Sequence, residues 1–274
     1  MEEMTGLEVD RDSSPVAVVT GAGSELGRAT AVLLAAGGYQ LVLVDLDERS
    51  MTETARSVQA RGGKTRTFCT DVSDARGLGD MVRQVASEIS LPVLLVNIVS
   101  SGTSGSVLET SDAEWSRILA ANLTGPFLVT RAIVPLMIDR GGGVIINVTS
   151  AVACLGSRRR AAHCASAAGL VGLTRAVALD HSSDNVRCVA ICDGGSGELG
   201  AVEASASGSR PARPDHAGPS ASRDPGVRAL ASPDEVAAVI AFVAGPSGRV
   251  FNGKAMLLDG QTLGWQESTS YARI

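Results

Sequence analysis

A glycine-rich segment with the sequence TGAGSELGR, residues 20–28, joins a predicted strand to a predicted helix. Such a turn lets backbone N–H groups approach a pyrophosphate at the positively polarised N-terminus of the helix. Asp45 ends the next predicted strand, within the ~20-residue spacing expected for a carboxylate that binds an adenosine ribose. Together the two features predict a dinucleotide site that favours NAD over NADP, because a 2′-phosphate would meet the carboxylate.

The elements that would position this turn form an alternating pattern of short apolar runs and helical segments. The predicted strands are 16–20, 40–45, 65–69, 93–97, 143–149, 186–191 and 255–258, and the predicted helices are 26–37, 48–61, 74–89, 112–138, 161–180 and 233–244. The strand runs lack polar alternation, as strands covered on both faces do. We therefore predict an α/β fold, with a single doubly wound, Rossmann-type parallel sheet of about seven strands and helices on both faces.

One domain is predicted at residues 15–264, between a polar N-terminal tail, 1–14, and a C-terminal tail, 265–274. Within it, residues 194–230 are rich in Gly, Ser, Ala and Pro and have no hydrophobic period. This segment follows the carboxyl end of a strand, where ligands bind in open α/β sheets. We interpret it as a substrate lid, with a passive insertion as the alternative.

Composition and charge exclude several classes of protein. A hydrophobic fraction of 45% and a charged fraction of 19% are typical of a packed globular chain. A net charge of -5 and a pI of about 5.3 provide no basic field for nucleic acid. No apolar stretch approaches ~20 residues and no apolar segment opens the chain, which predicts a cytoplasmic protein without a membrane span.

The cysteines and histidines predict no metal site. Five cysteines form an odd number without a CxxC pair, and only three histidines accompany them. We interpret the cysteines as reduced thiols, and Cys154 and Cys164, near the predicted pocket, as structural ones.

Seven short motifs follow the order found in the short-chain dehydrogenase/reductase superfamily, and the chain resembles that family between residues 16 and 264. The motifs are the turn at 20–27, Asp71-Val72, Asn97, ANLTG at 121–125, INVTS at 146–150, SPDEVA at 232–237 and LDG at 258–260.

The resemblance implies binding of NAD(H) or NADP(H) and hydride transfer to or from a carbonyl or alcohol of a small molecule. It places Ser150 and Asn122 in the catalytic centre. It assigns the contacts with NAD(H) to Thr20, Gly21, Gly23, Gly27, Asp45, Asp71, Val72 and Asn97. It also implies a homodimer or homotetramer built on the helices near 112–138 and 161–180.

The chain departs from the family at its two proton-transfer residues. In the family a tyrosine lies thirteen residues beyond the serine, and a lysine four residues later makes the phenol more acidic and holds the nicotinamide ribose. Counted from Ser150, these positions carry His163 and Ala167. An imidazole can still act as an acid or a base near neutral pH.

Other departures lie along the cofactor. Glu25 replaces the middle glycine of the turn, so that a negative side chain either faces the diphosphate or turns away from it. Residues 98–100, Ile-Val-Ser, replace the family's Asn-Ala-Gly and add bulk where the family keeps the backbone open. Asp193 stands at the position of a family proline.

Several candidate residues keep two interpretations. His163 is either the acid and base of the site or a histidine of the core, and packing alone could retain Ser150 and Asn122. Asp193 is either a loop cap or an acid that meets substrate. Arg160 belongs to a run of three arginines that either lines the entrance for an anionic substrate or forms a solvated charged face.

Three functions are compatible with these residues. The first is non-redox proton transfer, such as cyclisation, dehydration or isomerisation of a small molecule by Ser150 and His163, with or without bound NAD(H). The second is an NAD(H)-dependent oxidoreductase in which His163 replaces the tyrosine. The third is a catalytically silent partner subunit or ligand sensor. The sequence alone favours the first, because both residues of the family's proton relay are replaced.

Overall fold

A computed structural model describes residues 14–99, 101–102, 104–194 and 231–258. The predicted N-terminal tail, lid and C-terminal tail lie outside the described residues, except for Ser14 and Gly194. The strands are β1 Val16–Thr20, β2 Gln40–Asp45, β3 Thr65–Cys69, β4 Pro92–Ile98, β5 Gly143–Ser150, β6 Val186–Asp193 and β7 Ala255–Leu258. The α-helices are α1 Glu25–Ala36, α2 Glu48–Gln59, α3 Ala75–Glu88, α4 Asp112–Leu119, α5 Gly125–Asp139, α6 Val152–Leu155, α7 Ala161–Asp180 and α8 Pro233–Ala244.

All seven strands form one sheet in the order β3-β2-β1-β4-β5-β6-β7, and every pair is parallel. Buried side chains of α1, α2 and α8 pack on one face of the sheet, and those of α3, α5 and α7 pack on the other. This is the doubly wound architecture that the alternating pattern predicts. The strand order reverses between β1 and β4, and in such sheets ligands bind at that switch point, outside the carboxyl ends of the strands.

Local signals explain where several elements begin. Ser232 caps α8 in a capping box with Glu235, and Pro233 occupies the first turn, as the sequence SPDE predicts. Asp47 caps α2 and Asp74 caps α3, each by accepting hydrogen bonds from backbone N–H groups of the first turn.

The structure corrects the predicted elements in three places. β3 is not covered on both faces: three of its five residues are exposed, and the side chain of Arg66 reaches Glu88 at 2.9 Å. β3 also pairs only with β2 and so forms an edge of the described sheet. The predicted helix 112–138 is interrupted by a π-helical segment, Ala120–Thr124. The short α6 and a 3₁₀-helix, Pro246–Phe251, were missed because each is too short to show a helical period.

The expectation that no apolar stretch approaches the length of a membrane span is also wrong. By length and composition alone, two helical stretches of the described chain are long and apolar enough to cross a membrane: Asp112–Asp139 and Ala161–Asp180. About half of each apolar window is buried inside the fold, as in a helix that packs on a sheet. Packing of these helices against the sheet therefore accounts for their buried apolar residues.

Candidate active site

A cavity of about 400 Å³ lies at the carboxyl ends of β1, β2 and β4, at the point where the strand order reverses. The sequence-predicted residues among those that line it are Thr20, Gly21, Gly23, Asp45, Asp71, Val72 and Asn122. Six other predicted residues, all in the described part of the chain, form no part of the wall: Gly27, Asn97, Ser150, His163, Asp193 and Arg160. The structure thus brings most of the predicted nucleotide contacts together in one place.

The turn between β1 and α1 depends on two glycines. Gly21 has a φ of +65°, and a Cβ atom there would overlap the carbonyl of Ile98 on the neighbouring β4. A Cβ atom on Gly27 would overlap the carbonyl of Gly21. Gly27 does not line the cavity, and its lack of a side chain instead allows α1 to approach the turn. Ser24, which the sequence reasoning missed, caps α1: its hydroxyl donates to the Gly21 carbonyl at 2.7 Å and accepts from the Gly27 N–H at 3.0 Å.

Two carboxylates stand at the end of β2. The Asp45 carboxylate accepts from the Gly23 N–H at 2.8 Å through Oδ2 and from the Asp47 N–H at 2.9 Å through Oδ1, which links the first turn to the second strand. Asp47 also lines the cavity, and hydrogen bonds from Ser50 hold the pKa of its carboxyl below the usual range. The two acids give this end of the cavity a negative charge.

Glu25 is the first residue of α1 and is exposed. It does not belong to the described residues that line the cavity. Of the two orientations that the sequence leaves open, the structure has the one in which the side chain turns away. An acid in the first turn of a helix is favoured by the positive N-terminal end of the helix dipole.

Asp71 and Val72 follow β3, the strand that neighbours β2, and both line the cavity. Asp71 accepts hydrogen bonds from the backbone N–H and the hydroxyl of Ser73, at 2.8 and 2.7 Å. Val72 faces Gly125 at the start of α5, where a Cβ atom would come within 2.8 Å of the valine side chain. Ile98 and Val99 also line the cavity, and thus add bulk near the switch point as their departure from the family pattern predicts.

Asn97 lies inside the fold and not in the cavity wall. Its side chain is fully buried, and its Nδ2 donates to Asn147 on β5 at 2.9 Å. Asn147 in turn donates to Thr174 on α7 at 2.9 Å. The two asparagines therefore link β4, β5 and α7. A sequence signal for this role exists, because each asparagine interrupts an apolar strand, as Asn147 does in INVTS.

A cluster around the Ser101 backbone connects the cavity to the predicted proton-transfer position. Asn122, in the π-helical segment, accepts from the Ser101 N–H at 3.2 Å and donates to the Ser101 carbonyl at 2.7 Å. The same carbonyl lies 3.1 Å from Nδ1 of His163, in the first turn of α7. Since a carbonyl oxygen only accepts, Nδ1 must carry the proton in this contact. Ser166 completes the cluster, with its hydroxyl between Asn122 Nδ2 at 3.2 Å and the His163 carbonyl at 3.0 Å.

His163 is buried, with 2% of its surface exposed. Ala167, one turn further along α7 at the position of the family's lysine, is buried as well. No ammonium group therefore stands one turn after the imidazole, and the methyl group of alanine takes its place. The Ser101 contact is the feature that no sequence signal indicated, because it joins residues 62 positions apart.

Ser150 and Asp193 end β5 and β6 and are directly opposite each other in the register of the two strands. The Ala151 N–H donates to the Asp193 carbonyl at 2.8 Å, and the Val152 N–H approaches the Ser150 hydroxyl at 3.4 Å. Both residues are half-buried at the same carboxyl edge of the sheet as the cavity. The sheet thus places both residues at the edge that holds the cavity, but Ser150 lies two strands and Asp193 three strands away from β1.

The arginine run before α7 is not a uniformly solvated face. Arg159 adopts a φ of +55° and forms an ion pair with Glu109 at 2.9 Å, while Gly105 forms an isolated bridge with Arg160. Hydrogen bonds from Ser106 and the Arg159 guanidinium lower the pKa of Glu109 to about 2. The run therefore ties two loops together at the start of α7, and Arg160 lies half-buried beside this joint.

Comparison with known proteins agrees with this architecture. The short chain dehydrogenase family matches residues 15–198. An uncharacterized oxidoreductase of Thermotoga maritima is 31% identical over 248 residues, which cover 89% of this chain and 96% of that protein.

Two solved structures resemble the chain along most of its length. NAD⁺-bound xylitol dehydrogenase is 26% identical, with a TM-score of 0.79, and the match covers 92% of this chain and 100% of that one. L-Sorbose reductase from Gluconobacter frateurii, complexed with NADPH and L-sorbose, is 25% identical, with a TM-score of 0.78, and the match covers 92% and 97%. With its parallel sheet, its glycine turn and these relatives, the chain belongs to the short-chain dehydrogenase/reductase family.

Proposed function

We propose that this protein is an NAD(H)-dependent oxidoreductase that acts on a small alcohol or carbonyl compound, with His163 in the proton-transfer role. The observation that carries the proposal is the contact between Nδ1 of His163 and the Ser101 carbonyl, beside a cavity with the walls of a nucleotide site. The sequence alone favours non-redox chemistry. The cavity at the switch point of the sheet and the oxidoreductase and dehydrogenase names of the relatives support the redox alternative instead.

The residues of the cavity fit the adenosine half of NAD(H). The turn at Gly21 offers backbone that no Cβ atom covers, and Asp45 offers a carboxylate to a ribose hydroxyl. Asp45 and Asp47 together would repel the 2′-phosphate of NADP(H), which favours NAD(H). When bound, NAD(H) would supply the hydride or accept it.

His163 has the protonation pattern that a general acid and base needs. Because the Ser101 carbonyl accepts the Nδ1 proton, the lone pair of the neutral ring lies on Nε2, an atom that is buried in this structure. Once a substrate alcohol reaches Nε2, this lone pair can accept its proton. The imidazolium form can return a proton to the oxygen of a carbonyl compound during its reduction. Asn122 is then a positioning residue, since it accepts from the N–H of Ser101 and donates to the Ser101 carbonyl that contacts His163.

Ser150 is proposed to donate a hydrogen bond to the reacting oxygen, and Asp193 and Arg160 to face the substrate. The sheet supports the first assignment by ending β5 and β6 at the edge that also holds the cavity. The substrate would be a small polar molecule, because xylitol and L-sorbose appear in the names of the two structural relatives.

The test combines NADH binding with NADH consumption in the presence of small carbonyl compounds, L-sorbose included. We expect the wild-type protein to bind NADH and to consume it only with a carbonyl compound. His163→Asn keeps a side-chain N–H for the Ser101 carbonyl but cannot carry a proton, so NADH binding should persist while turnover falls ~10²–10⁴-fold. A variant that turns over as fast as wild type would refute the role of His163. No NADH binding at millimolar concentration would refute the oxidoreductase.

Non-redox proton transfer remains the second candidate, and the buried Ala167 favours it. Without the lysine ammonium, the nicotinamide ribose lacks the anchor that the family uses, and the space beside it can accept substrate. Turnover of a substrate that is unaffected by added NADH but lost in His163→Asn would select this function. A protein that neither binds nucleotide nor turns over any compound would fit the silent partner subunit.

A further inference from the structure

Two cysteines that are distant in sequence meet at the carboxyl edge of the sheet, outside the nucleotide cavity. Cys154 lies on the one-turn helix α6, and Cys192 is the penultimate residue of β6. Their Sγ atoms are 3.8 Å apart, which is contact distance for two sulfur atoms that are not bonded. Both thiols are free.

The backbone around the pair is anchored. The Ala151 N–H donates to the Asp193 carbonyl at 2.8 Å, so that the residue before α6 is bonded to the residue after Cys192. The Cys154 N–H in turn donates to the Ala151 carbonyl at 3.0 Å. The two sulfur atoms therefore lie close because the strand end and the helix start are held together, and not through a chance rotamer of one side chain.

The two thiols differ in access to solvent. Cys154 is exposed, whereas Cys192 is fully buried. Burial and the neighbouring Cys154 raise the pKa of the Cys192 thiol to about 12. An oxidant from solvent can thus reach Cys154 first, and Cys192 is the neighbouring thiol that could then react with the oxidised Cys154 sulfur.

We propose that Cys154 and Cys192 are a site of reversible oxidation, at which hydrogen peroxide converts the two thiols to an intramolecular disulfide. In the first step the Cys154 sulfur attacks one peroxide oxygen, the O–O bond breaks, and a sulfenic acid and water form. In the second step the Cys192 sulfur attacks the sulfenic sulfur, an S–S bond forms, and the hydroxyl leaves as water with the thiol proton. Two electrons pass from the sulfur atoms to the peroxide, and the products are one disulfide and two waters.

The geometry permits the bond with a small rearrangement. The sulfur atoms must approach by about 1.8 Å, from 3.8 Å to the ~2.05 Å of a disulfide. α6 has four residues and is followed by Gly156, which has a φ of +71° and no atom packed within 4 Å of where a Cβ would stand. Rotation of the exposed Cys154 side chain, together with a slight shift of α6, supplies the movement.

The remaining cysteines provide internal controls. Cys69 is as accessible as Cys154, but its recorded contact is with the carbonyl of Leu46 at 3.5 Å. Cys164 approaches the carbonyl of Ser157 at 3.8 Å. Cys188 is buried, with its sulfur 3.6 Å from Asn147 Nδ2. None of the sulfur contacts recorded in the described part of the chain places a second thiol beside these three.

The experiment uses the full chain, reduced, then treated with hydrogen peroxide and alkylated, with peptide mapping by mass spectrometry. We expect a Cys154–Cys192 linked peptide that dithiothreitol removes, and no such link at Cys69. In Cys192→Ala, the oxidation of Cys154 should stop at the sulfenic acid, which dimedone captures. In Cys154→Ser, the buried Cys192 should remain a free thiol.

The wild-type map alone can overturn the proposal. If Cys154 accumulates as sulfenic or sulfinic acid without the link, the pair does not act as a disulfide site. Links between different molecules through Cys69 at the same peroxide concentration would overturn it as well. Circular dichroism checks that the variants are folded, and the exposed Cys154→Ser remains informative if the buried substitution unfolds the sheet. The readout is chemical, so it is independent of the proposed oxidoreductase activity.

Discussion

At the scale of single residues, a few side chains separate this protein from the dehydrogenases it resembles. The proposed nucleotide side has the carboxylate of Asp45, which accepts hydrogen bonds from the Gly23 and Asp47 backbones. The proton-transfer side has an imidazole at His163 and a buried methyl group at Ala167. Nucleotide binding and chemistry can therefore be tested by separate substitutions.

Asp45→Asn tests the nucleotide side. Both carboxylate oxygens accept backbone N–H groups, so an amide loses one acceptor as well as the charge that would bind the ribose. A hydrogen bond to a charged group contributes ~1.5–3 kcal/mol, and we expect NADH affinity to fall roughly 10–100-fold. The preference for NADH over NADPH should decrease at the same time, as measured by calorimetric titration of both.

Asp74→Asn is the matched control, because Asp74 caps α3 outside the cavity wall and asparagine also caps helices well. It should leave NADH affinity unchanged. If Asp45→Asn binds NADH as tightly as wild type, the carboxylate does not hold the ribose.

At the scale of elements, the site depends on how closely helices approach the ends of strands. α1 approaches β1 only because Gly27 has no Cβ atom to meet the Gly21 carbonyl. The predicted helix 112–138 is broken by a π-helical segment that turns Asn122 toward Ser101. Such segments occur frequently at functional sites, where an extra residue re-aims a side chain.

Gly27→Ala should therefore destabilise the protein although alanine is the better helix former. Its methyl group would overlap the Gly21 carbonyl and the Ala22 backbone, and overpacking of this kind costs about 1–3 kcal/mol. We expect a lower urea midpoint and weaker NADH binding, since the turn would be displaced.

Gly172→Ala, on α7, supplies the opposite case. No atom lies within 4 Å of a Cβ placed at Gly172, so the helix preference of alanine should stabilise the fold by ~0.5–1 kcal/mol. If Gly27→Ala is as stable as Gly172→Ala, α1 does not depend on close approach to the turn.

At the scale of the whole molecule, the outer faces of α5 and α7 form an apolar groove. The groove has a volume of about 520 Å³ and includes Phe127, Ile138 and Leu173, the first two of which are exposed. Arg131 stacks 5.2 Å above the Phe127 ring. These are the helices on which the family resemblance predicts a dimer or tetramer.

We expect light scattering after size-exclusion chromatography to show a homodimer or homotetramer, and Ile138→Glu to shift it toward the monomer. A carboxylate in an apolar interface loses hydration without gaining a partner. Leu108→Glu, at an exposed apolar residue in a turn away from the groove, is the control and should leave the assembly intact. A monomeric wild-type protein would contradict the prediction.

The sequence by itself determines the strands of the described sheet and their alternation with helices. These features are short-range, because turn chemistry, helix capping and side-chain periodicity depend on residues a few positions apart. The bounds of β1, β2, β3 and β7 agree with the prediction, and so does the capping box of α8.

Only the tertiary structure decided which polar residues face the cavity and which serve the core. The family resemblance assigned Asn97 to NAD(H), and the structure buries its side chain against Asn147. The sequence pattern predicted that β3 is covered on both faces, and the structure leaves three of its five residues exposed. The contact of His163 with Ser101 and that of Cys154 with Cys192 join residues 62 and 38 positions apart. Local sequence carries no signal for such contacts, because they arise from the order in which the sheet places its strands.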